Sequence, residues 1–148
     1  LLRNNPCRWT IMAFHHPFFS TAARRDNKVI RENLKPLVDR YGVDLVINGH
    51  DHTYARGMAF PEGIKRKGNM AGTIYVVSVS GQKMYRQDAE PWWKTGFANT
   101  QMWQAITIEG DKLLFRAYDA SGSVADQFVL TRMKNGSNRI GVPSDATK

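Results

Sequence analysis

Apolar residues in the first fifty positions fall into two short runs separated by a helical pattern. Residues 9–14 form the first run and residues 44–48 the second. A short apolar run without polar alternation is typical of a strand that is buried on both faces. Between the runs, apolar residues recur at three- and four-residue spacing, which predicts a helix through Ile30, Leu34, Leu37, Val38 and Tyr41.

The predicted helix has recognisable ends. Asp26 is a residue type that caps helix starts, and Gly42 is the type that ends helices in a left-handed conformation. Pro36 lies inside the pattern, so one kinked helix and two short helices both remain open. A strand, a helix and a second strand in this order predict a parallel β-α-β unit.

The pattern changes after residue 72, where several strand-like segments follow one another. They cover residues 73–80, 103–109, 112–118 and 127–132. The short, turn-rich joints between the later segments favour antiparallel hairpins. We therefore predict an α/β (or α+β) fold in which a short parallel β-α-β unit is followed by antiparallel strands.

The same pattern suggests the domain boundaries. Residues 1–132 form one predicted domain, with a surface loop over residues 60–72. Residues 133–148 are rich in Asn, Gly, Ser and Asp and lack periodicity, which predicts a flexible C-terminal tail. The opening Leu1-Leu2, followed by Pro6, is typical of the end of a helix, and we expect the chain to continue upstream.

Composition adds limits to this picture. The chain has 148 residues, of which 42% are hydrophobic, enough for one globular core. A formal charge of +8 permits an anionic partner, but the basic residues are dispersed, so no nucleic-acid partner is expected. A single cysteine, Cys7, excludes an internal disulfide framework, and no apolar stretch is long enough to predict a membrane span.

All four histidines lie just past the two predicted buried strands. His15 and His16 follow the first strand, and His50 and His52 follow the second. Because the carboxyl ends of parallel strands meet at one edge of a sheet, the two groups are expected to converge. Neutral imidazole is a common ligand of zinc, iron and manganese, so the sequence predicts a metal site at this edge.

Two aspects of this site stay open at this stage. Gly49 allows a sharp turn, so His50 and His52 can face one ion or diverge toward two. Amidohydrolase barrels and some cupins also use His-x-His, whereas metallo-β-lactamases use a longer run that is absent here. None of them combines a strand ending in His-His-Pro, a helix, and a strand ending in Gly-His-x-His.

Two segments resemble the calcineurin-like metallophosphoesterase superfamily, in particular its purple acid phosphatase-related branch. They are Ala-Phe-His-His-Pro at residues 13–17 and the segment at residues 43–56, which contains Asn-Gly-His-Asp-His-Thr-Tyr-Ala-Arg. Weaker similarity continues through residues 72–81 to the hairpins near Phe128. The resemblance implies the C-terminal half of a four-layer β-sandwich catalytic domain.

The resemblance also implies a set of metal ligands. His15 and His50 would bind one divalent ion and His52 its partner ion, the pair being iron with zinc, manganese or a second iron. The upstream motifs that complete such a site, Asp-x-His, Gly-Asp-x-x-Asp or -Tyr, and Gly-Asn-His-Glu or -Asp, do not occur in these 148 residues. The resemblance thus implies that the chain is a fragment of a phosphate monoesterase that uses a metal-bound hydroxide. The metal site in this chain would be incomplete or empty. We therefore expect the chain to be inactive alone.

Other residues receive expected roles beside the metals. His16 is expected to support the ligands or face the substrate, with a surface position as the alternative. Residues 81–85 are placed at the rim of the site by the resemblance. Contacts to the phosphate ester are expected from Arg24, Arg25 and Tyr54, although Ala55 stands where these phosphatases commonly have Glu.

A non-catalytic hypothesis remains beside the enzymatic one. The chain could be a module that associates with itself or a partner through an exposed sheet edge or a tryptophan-bearing surface. Trp92 and Trp93, followed by Phe97 and Trp103, could form a sugar-stacking platform, although we expect core and interface packing instead. A single-zinc hydrolase of another fold is a third hypothesis. The resemblance also implies a secreted or periplasmic location.

Overall fold

The structure is a computed structural model that describes residues 1–88 and 92–144. Its elements in chain order are a short 3-10 helix at Leu2–Asn4, β1 (Ile11–Phe14), α1 (Lys28–Tyr41), β2 (Leu45–Asn48), β3 (Tyr54–Ala59), β4 (Met70–Ala71), β5 (Thr73–Val77), β6 (Thr95–Phe97), β7 (Met102–Glu109), β8 (Lys112–Asp119), β9 (Val124–Arg132) and β10 (Asn138–Gly141).

The strands form two five-stranded sheets. The first has the order β1-β2-β5-β3-β6, in which β1, β2 and β5 are parallel and β3 is antiparallel to both β5 and β6. The second is antiparallel, in the order β4-β10-β9-β8-β7. The predicted fold class is therefore confirmed, since a parallel β-α-β unit precedes a set of antiparallel hairpins.

The helix of this unit runs without interruption through Pro36. Gly42 ends it with a φ of 61°, as its residue type predicted. Asp26 does not cap the start, because its carboxylate accepts a 2.6 Å hydrogen bond from the Arg31 guanidinium and Asn27 flanks the first turn. No helix in the described part of the chain is long and apolar enough to cross a membrane.

Apolar residues fill two layers between these elements. Side chains from both sheets meet in the larger core, which includes Leu45, Tyr54, Ile74, Leu113, Phe115, Phe128 and Leu130. On the opposite face of the first sheet, α1 packs through Val38, Ile30 and Leu34. The described residues thus form three layers, a helix, a mixed sheet and an antiparallel sheet.

The position of β1 differs from the prediction. It lies at the edge of the first sheet, and its residues alternate between exposed and half-buried. Met12 and Phe14 pack in the core below α1, whereas Ile11 is 37% exposed. The apolar run alone could not predict this, because burial depends on which strands flank β1 in the finished sheet.

The strands at residues 54–59, 70–71, 95–97 and 138–141 were not predicted, and residues 70–71 lie in the expected surface loop. β10 lies in the segment expected to be a flexible tail, where it pairs with both β9 and β4. Its sequence, Asn-Arg-Ile-Gly, has no apolar alternation, so its conformation depends on backbone pairing with the preceding strand β9 and the distant strand β4. Asn138 is buried there and donates a 2.6 Å hydrogen bond to Asp44.

Two buried carboxylates join the sheets to each other. Asp126 on β9 accepts hydrogen bonds from the Tyr54 hydroxyl at 2.7 Å and from Arg56 Nε and Nη2 at 2.6 and 2.8 Å. Asp44, just before β2, accepts bonds from Arg132 Nη2 at 2.8 and 2.9 Å. Because these charges are paired and hydrogen-bonded, their burial is tolerated.

Candidate metal centre

The carboxyl ends of the three parallel strands β1, β2 and β5 lie at one edge of the first sheet. Backbone hydrogen bonds continue past the strand ends, from Gly49 N to His15 O at 3.0 Å and from Ser78 N to Asn48 O at 2.9 Å. The Asn48 side-chain amide also donates to Phe14 O at 2.8 Å. These bonds hold the loops that carry the histidines in a defined relative position.

The loops line a small open cavity of about 240 Å³. Three of the four histidines reach it, together with a short segment after β5. Its lining residues are His15, Gly49, His50, His52, Ser78, Val79, Ser80 and Gly81. The convergence expected from matched strand ends is therefore what the structure shows for the two histidine groups.

His15 and His50 make direct contact in this cavity. His15 Nε2 lies 3.1 Å from His50 Nδ1, and the ring centroids are 5.0 Å apart. Two imidazole nitrogens bound to one ion at about 2.1 Å are separated by roughly 3.0–3.4 Å, depending on the coordination angle. The pair thus has the spacing of two adjacent ligands of a single ion.

His52 faces the same cavity in a different setting. Its Nδ1 lies 2.9 Å from the carbonyl oxygen of Lys83. Because a carbonyl only accepts, Nδ1 carries the proton and the lone pair of Nε2 is left free for a ligand. A backbone carbonyl on the second ring nitrogen is the usual partner of a metal-binding histidine.

The histidines do not complete a ligand set by themselves. Across residues 1–88 and 92–144, no three His, Cys, Asp or Glu side chains come close enough to hold a metal ion. The structure brings His15 and His50 together and keeps His52 separate from this pair. The donor chemistry fits a metal ion, but the described residues supply only some of the ligands that one needs.

His16 lies beside the pair. Its ring centroid is 4.1 Å from that of His50 and 5.0 Å from that of His15. Its side chain is exposed at the mouth of the site. His16 is thus an exposed residue whose ring contacts both His15 and His50.

The surroundings of His50 keep its imidazole neutral. Partial burial lowers its pKa, and the charges of His16, Arg25 and His15 act in the same direction, against the opposing effect of Asp51. A neutral imidazole has the free lone pair that a metal ion requires. The electrostatics therefore favour the ligand form of His50.

Of the three residues expected to contact the phosphate, two lie on the loop beside the site. The Arg25 guanidinium is 3.5 Å from Asp51 Oδ1 and 4.7 Å from the Tyr85 ring centroid. Arg24 is exposed, with a φ of 65°. Tyr54, by contrast, is fully buried between the sheets with its hydroxyl on Asp126, so it is not placed to contact a phosphate in the cavity.

The segment expected at the rim lies next to His52. Gly81 lines the cavity, and the Tyr85 ring is 4.8 Å from the His52 ring. An antiparallel bridge between Ala22 and Gln87 joins this segment to the loop that follows β1. Sequence reasoning missed the Lys83 carbonyl, because a backbone acceptor leaves no trace in residue identity.

Trp92 serves packing, whereas Trp103 is 51% exposed and stacks on Tyr118. Trp92 Nε1 donates a 2.8 Å hydrogen bond to Ser20 O, and its ring lies 5.1 Å from that of Phe19. Gly57 has no β-carbon where the Trp92 ring crosses β3. This arrangement agrees with the expected packing role rather than with an exposed sugar platform.

The sequence is similar to known phosphatases and phosphoesterases. The family model described as Calcineurin-like phosphoesterase matches residues 1–54, which contain all four histidines. Purple acid phosphatase 17 of Arabidopsis thaliana is 29% identical over 127 residues, covering 86% of this chain and 30% of that protein. An acid phosphatase of Aspergillus ficuum is 31% identical over 77 residues, covering 52% of this chain and 11% of that protein.

A solved structure shares the fold. The purple acid phosphatase PPD1 from yellow lupin (Lupinus luteus) seeds superposes with a TM-score of 0.71 at 24% identity. The match covers 91% of this chain and 27% of that chain. The chain thus spans about a third or less of the length of these relatives.

Proposed function

Because the chain is related to the calcineurin-like phosphoesterases, and within them to the purple acid phosphatases, we propose that it contributes metal ligands to a two-metal phosphoesterase site. The proposed substrate is a phosphate monoester. His15 and His50 hold one ion and His52 holds the other. In the proposed pair, iron is combined with zinc, manganese or a second iron.

One observation carries this proposal. The His15 and His50 nitrogens lie 3.1 Å apart at the ends of two adjacent parallel strands, in a cavity that His52 also lines. In the metal-free chain one nitrogen donates to the other, and the same separation suits two neutral nitrogens that bind one ion at about 2.1 Å. The orientation of His52 by Lys83 O supports the same interpretation.

The chain's own side chains have distinct proposed tasks. Bound metal ions would lower the pKa of water and stabilise the charge on phosphoryl oxygens. His15, His50 and His52 hold these ions through neutral nitrogens. Arg25 and the exposed Arg24 lie where they favour approach of a phosphate ester, and His16 lies beside His50 at the open side.

The proposed site is partial in this chain. Three imidazoles are fewer than two ions require, because each ion in a hydrolytic site usually has three or more protein ligands. We therefore expect weak metal binding and little or no hydrolysis from these 148 residues alone. The other ligands would come from a part of the protein that corresponds to the unmatched length of the relatives.

Metal titration tests the ligand assignment directly. Isothermal titration of the chain with Zn²⁺ should show binding, and His50→Ala should weaken it by at least tenfold because one of two adjacent ligands is lost. Glu109→Gln is the matched control, since it removes an exposed carboxylate on β7 without touching the cavity. Equal zinc affinity in His50→Ala and wild type would contradict the assignment.

Hydrolysis is tested in the protein that contains this chain. We expect cleavage of p-nitrophenyl phosphate that is lost after chelation and lost in His50→Ala. Elemental analysis should find two metal ions per chain and identify the pair. Full activity after chelation would contradict the proposal.

One observation favours a second, non-catalytic function. β1 is an apolar strand at a sheet edge, with Ile11 partly exposed, and such edges pair with further strands. A module that associates with itself or a partner would use this edge. Analytical ultracentrifugation that finds only monomer up to high concentration, with no partner bound, would argue against it.

Location is proposed by analogy alone. Many relatives of the purple acid phosphatase type act outside the cytoplasm, and we propose the same for this protein. Fractionation of cells that express the whole protein tests this, and recovery in the cytosol alone would contradict it.

A further inference from the structure

Asp51 occupies an unusual position between two histidines of the site. Its side chain is fully buried, whereas His50 and His52 on either side are partly exposed. A buried carboxylate is retained only where donors surround it. Its partners therefore show what the residue does.

Those partners all belong to the loop that follows β1. Asp51 Oδ2 accepts hydrogen bonds from Thr21 N at 2.6 Å, Thr21 Oγ at 3.3 Å and Ala22 N at 3.3 Å. Arg25 Nη1 lies 3.5 Å from Asp51 Oδ1. The carboxylate thus connects the turn that carries His50 and His52 to the loop that begins at His15.

The backbone on both sides of Asp51 is strained. His50 has a φ of 71° and His52 a φ of 49°, a left-handed region that residues with a β-carbon rarely adopt. Such conformations persist only where the surrounding structure holds them. The Asp51 amide also donates to Gly49 O at 2.9 Å, so both the backbone and the side chain of this residue are held.

We propose that Asp51 is the positioning residue of the histidine turn. With its carboxylate anchored inside, the left-handed residues on each side turn their imidazoles outward. His50 Nδ1 then meets His15 Nε2, and His52 donates to Lys83 O so that its Nε2 is free. The link to metal binding rests on the proposed function, but the positioning is a property of the chain without metal.

Imidazole tautomers provide the decisive measurement. In two-bond ¹H–¹⁵N spectra of the metal-free wild type at a pH where imidazoles are neutral, His52 should be a single Nδ1–H tautomer. In Asp51→Asn, the NH₂ group faces either the backbone amides of Thr21 and Ala22 or the Arg25 guanidinium, depending on the orientation of the side-chain amide. All of these groups are donors, so neither orientation satisfies them. We expect His52 to shift to a mixture of both tautomers, and an unchanged single tautomer would overturn the proposal.

Asp119→Asn is the matched control. Asp119 Oδ1 accepts bonds from Ser121 N at 2.8 Å, Ser121 Oγ at 2.6 Å and Ser123 N at 3.0 Å, the same donor types as at Asp51 but in a distant hairpin turn. This variant should leave the His52 tautomer unchanged. A similar tautomer shift in both variants would overturn the proposal, since the effect would not be specific to the site.

Zinc titration provides the second measurement. Asp51→Asn should weaken Zn²⁺ binding by about 10–100-fold, as loss of a residue that orients ligands does. If His50→Ala weakens zinc binding but Asp51→Asn binds zinc as tightly as wild type, the proposal is overturned. If wild type binds no zinc, the proposed function fails instead, and the tautomer measurement still decides the role of Asp51.

A milder variant covers the case in which Asp51→Asn does not fold. Thr21→Val is nearly isosteric and removes the hydroxyl that contacts Asp51 at 3.3 Å and Thr53 Oγ at 2.6 Å. It should shift the His52 tautomer in the same direction but less. A wild-type tautomer in a folded Thr21→Val chain would then overturn the proposal.

Discussion

His50 shows how single residues set the chemistry of this site. Burial and the neighbouring His16, Arg25 and His15 lower its pKa, so the ring stays neutral at neutral pH. As the pH falls, His50 is therefore protonated at a higher pH in the unfolded chain than in the folded chain. His50 thus contributes stability above about pH 6.5, and this contribution is lost as the pH falls toward its pKa in the folded chain.

Removing the charge of His16 tests this account. In the metal-free chain, His16→Gln should raise the pKa of His50. The charge of His16 is, after burial, the largest cause of the lowered pKa, and the substitution removes this charge. An NMR titration of the imidazole carbon protons measures the change. Lys28→Gln removes an exposed cation at the start of α1 and should leave the pKa of His50 in place. A lower or unchanged pKa in His16→Gln would contradict the account.

Secondary-structure elements in this fold approach each other closely where glycine occurs. Gly72 lies between β4 and β5, and a β-carbon there would overlap the carbonyl oxygen of Ala59 on β3. Backbone atoms cannot move aside as a flexible side chain does. The junction thus requires glycine for reasons of space rather than of dihedral angle.

We expect Gly72→Ala to lower the free energy of unfolding by about 1–3 kcal/mol, the usual cost of overpacking. Urea denaturation measures it. Gly81→Ala is the control, since a β-carbon there meets open space, and it should change the free energy of unfolding by less than about 0.5 kcal/mol. Equal urea midpoints for the two variants would disprove the steric argument.

The molecule as a whole depends on contacts between its two sheets. The ion pair of Arg56 and Asp126 crosses from β3 to β9, with side chains that are only 15% and 6% exposed. The Tyr54 hydroxyl shares the same carboxylate, and burial raises the pKa of Tyr54 above the ordinary tyrosine range, so it stays a donor. Apolar packing and this polar contact therefore act on the same interface.

Asp126→Ala should lower the free energy of unfolding by about 3–5 kcal/mol, because it leaves the largely buried Arg56 guanidinium without the carboxylate that balances its charge. Thermal denaturation followed by circular dichroism measures the loss. The exposed pair of Arg8 and Asp111 provides the comparison, and Asp111→Ala should cost about 0–1 kcal/mol. A similar loss in both variants would show that Asp126 does not join the sheets in the way described.

Local patterns were sufficient for much of the architecture. The helical spacing, the left-handed Gly42 and the apolar run at β2 depend on neighbours in the chain, and all three agree with the structure. The strands β3, β4, β6 and β10 were missed because they lack a clear apolar alternation, and the pairing of β6 with β3 and of β10 with β4 joins segments that are far apart in sequence. Residue identity carries little information about such pairings.

The β-α-β unit and the placement of four histidines at the ends of its strands follow from the order of residues, because strand and helix periodicity are local properties. The contact of His15 with His50, the orientation of His52 by Lys83 O and the burial of Tyr54 arise only when the chain folds. These features depend on sheet order and on buried carboxylates such as Asp51, whose partners lie about thirty residues away along the chain.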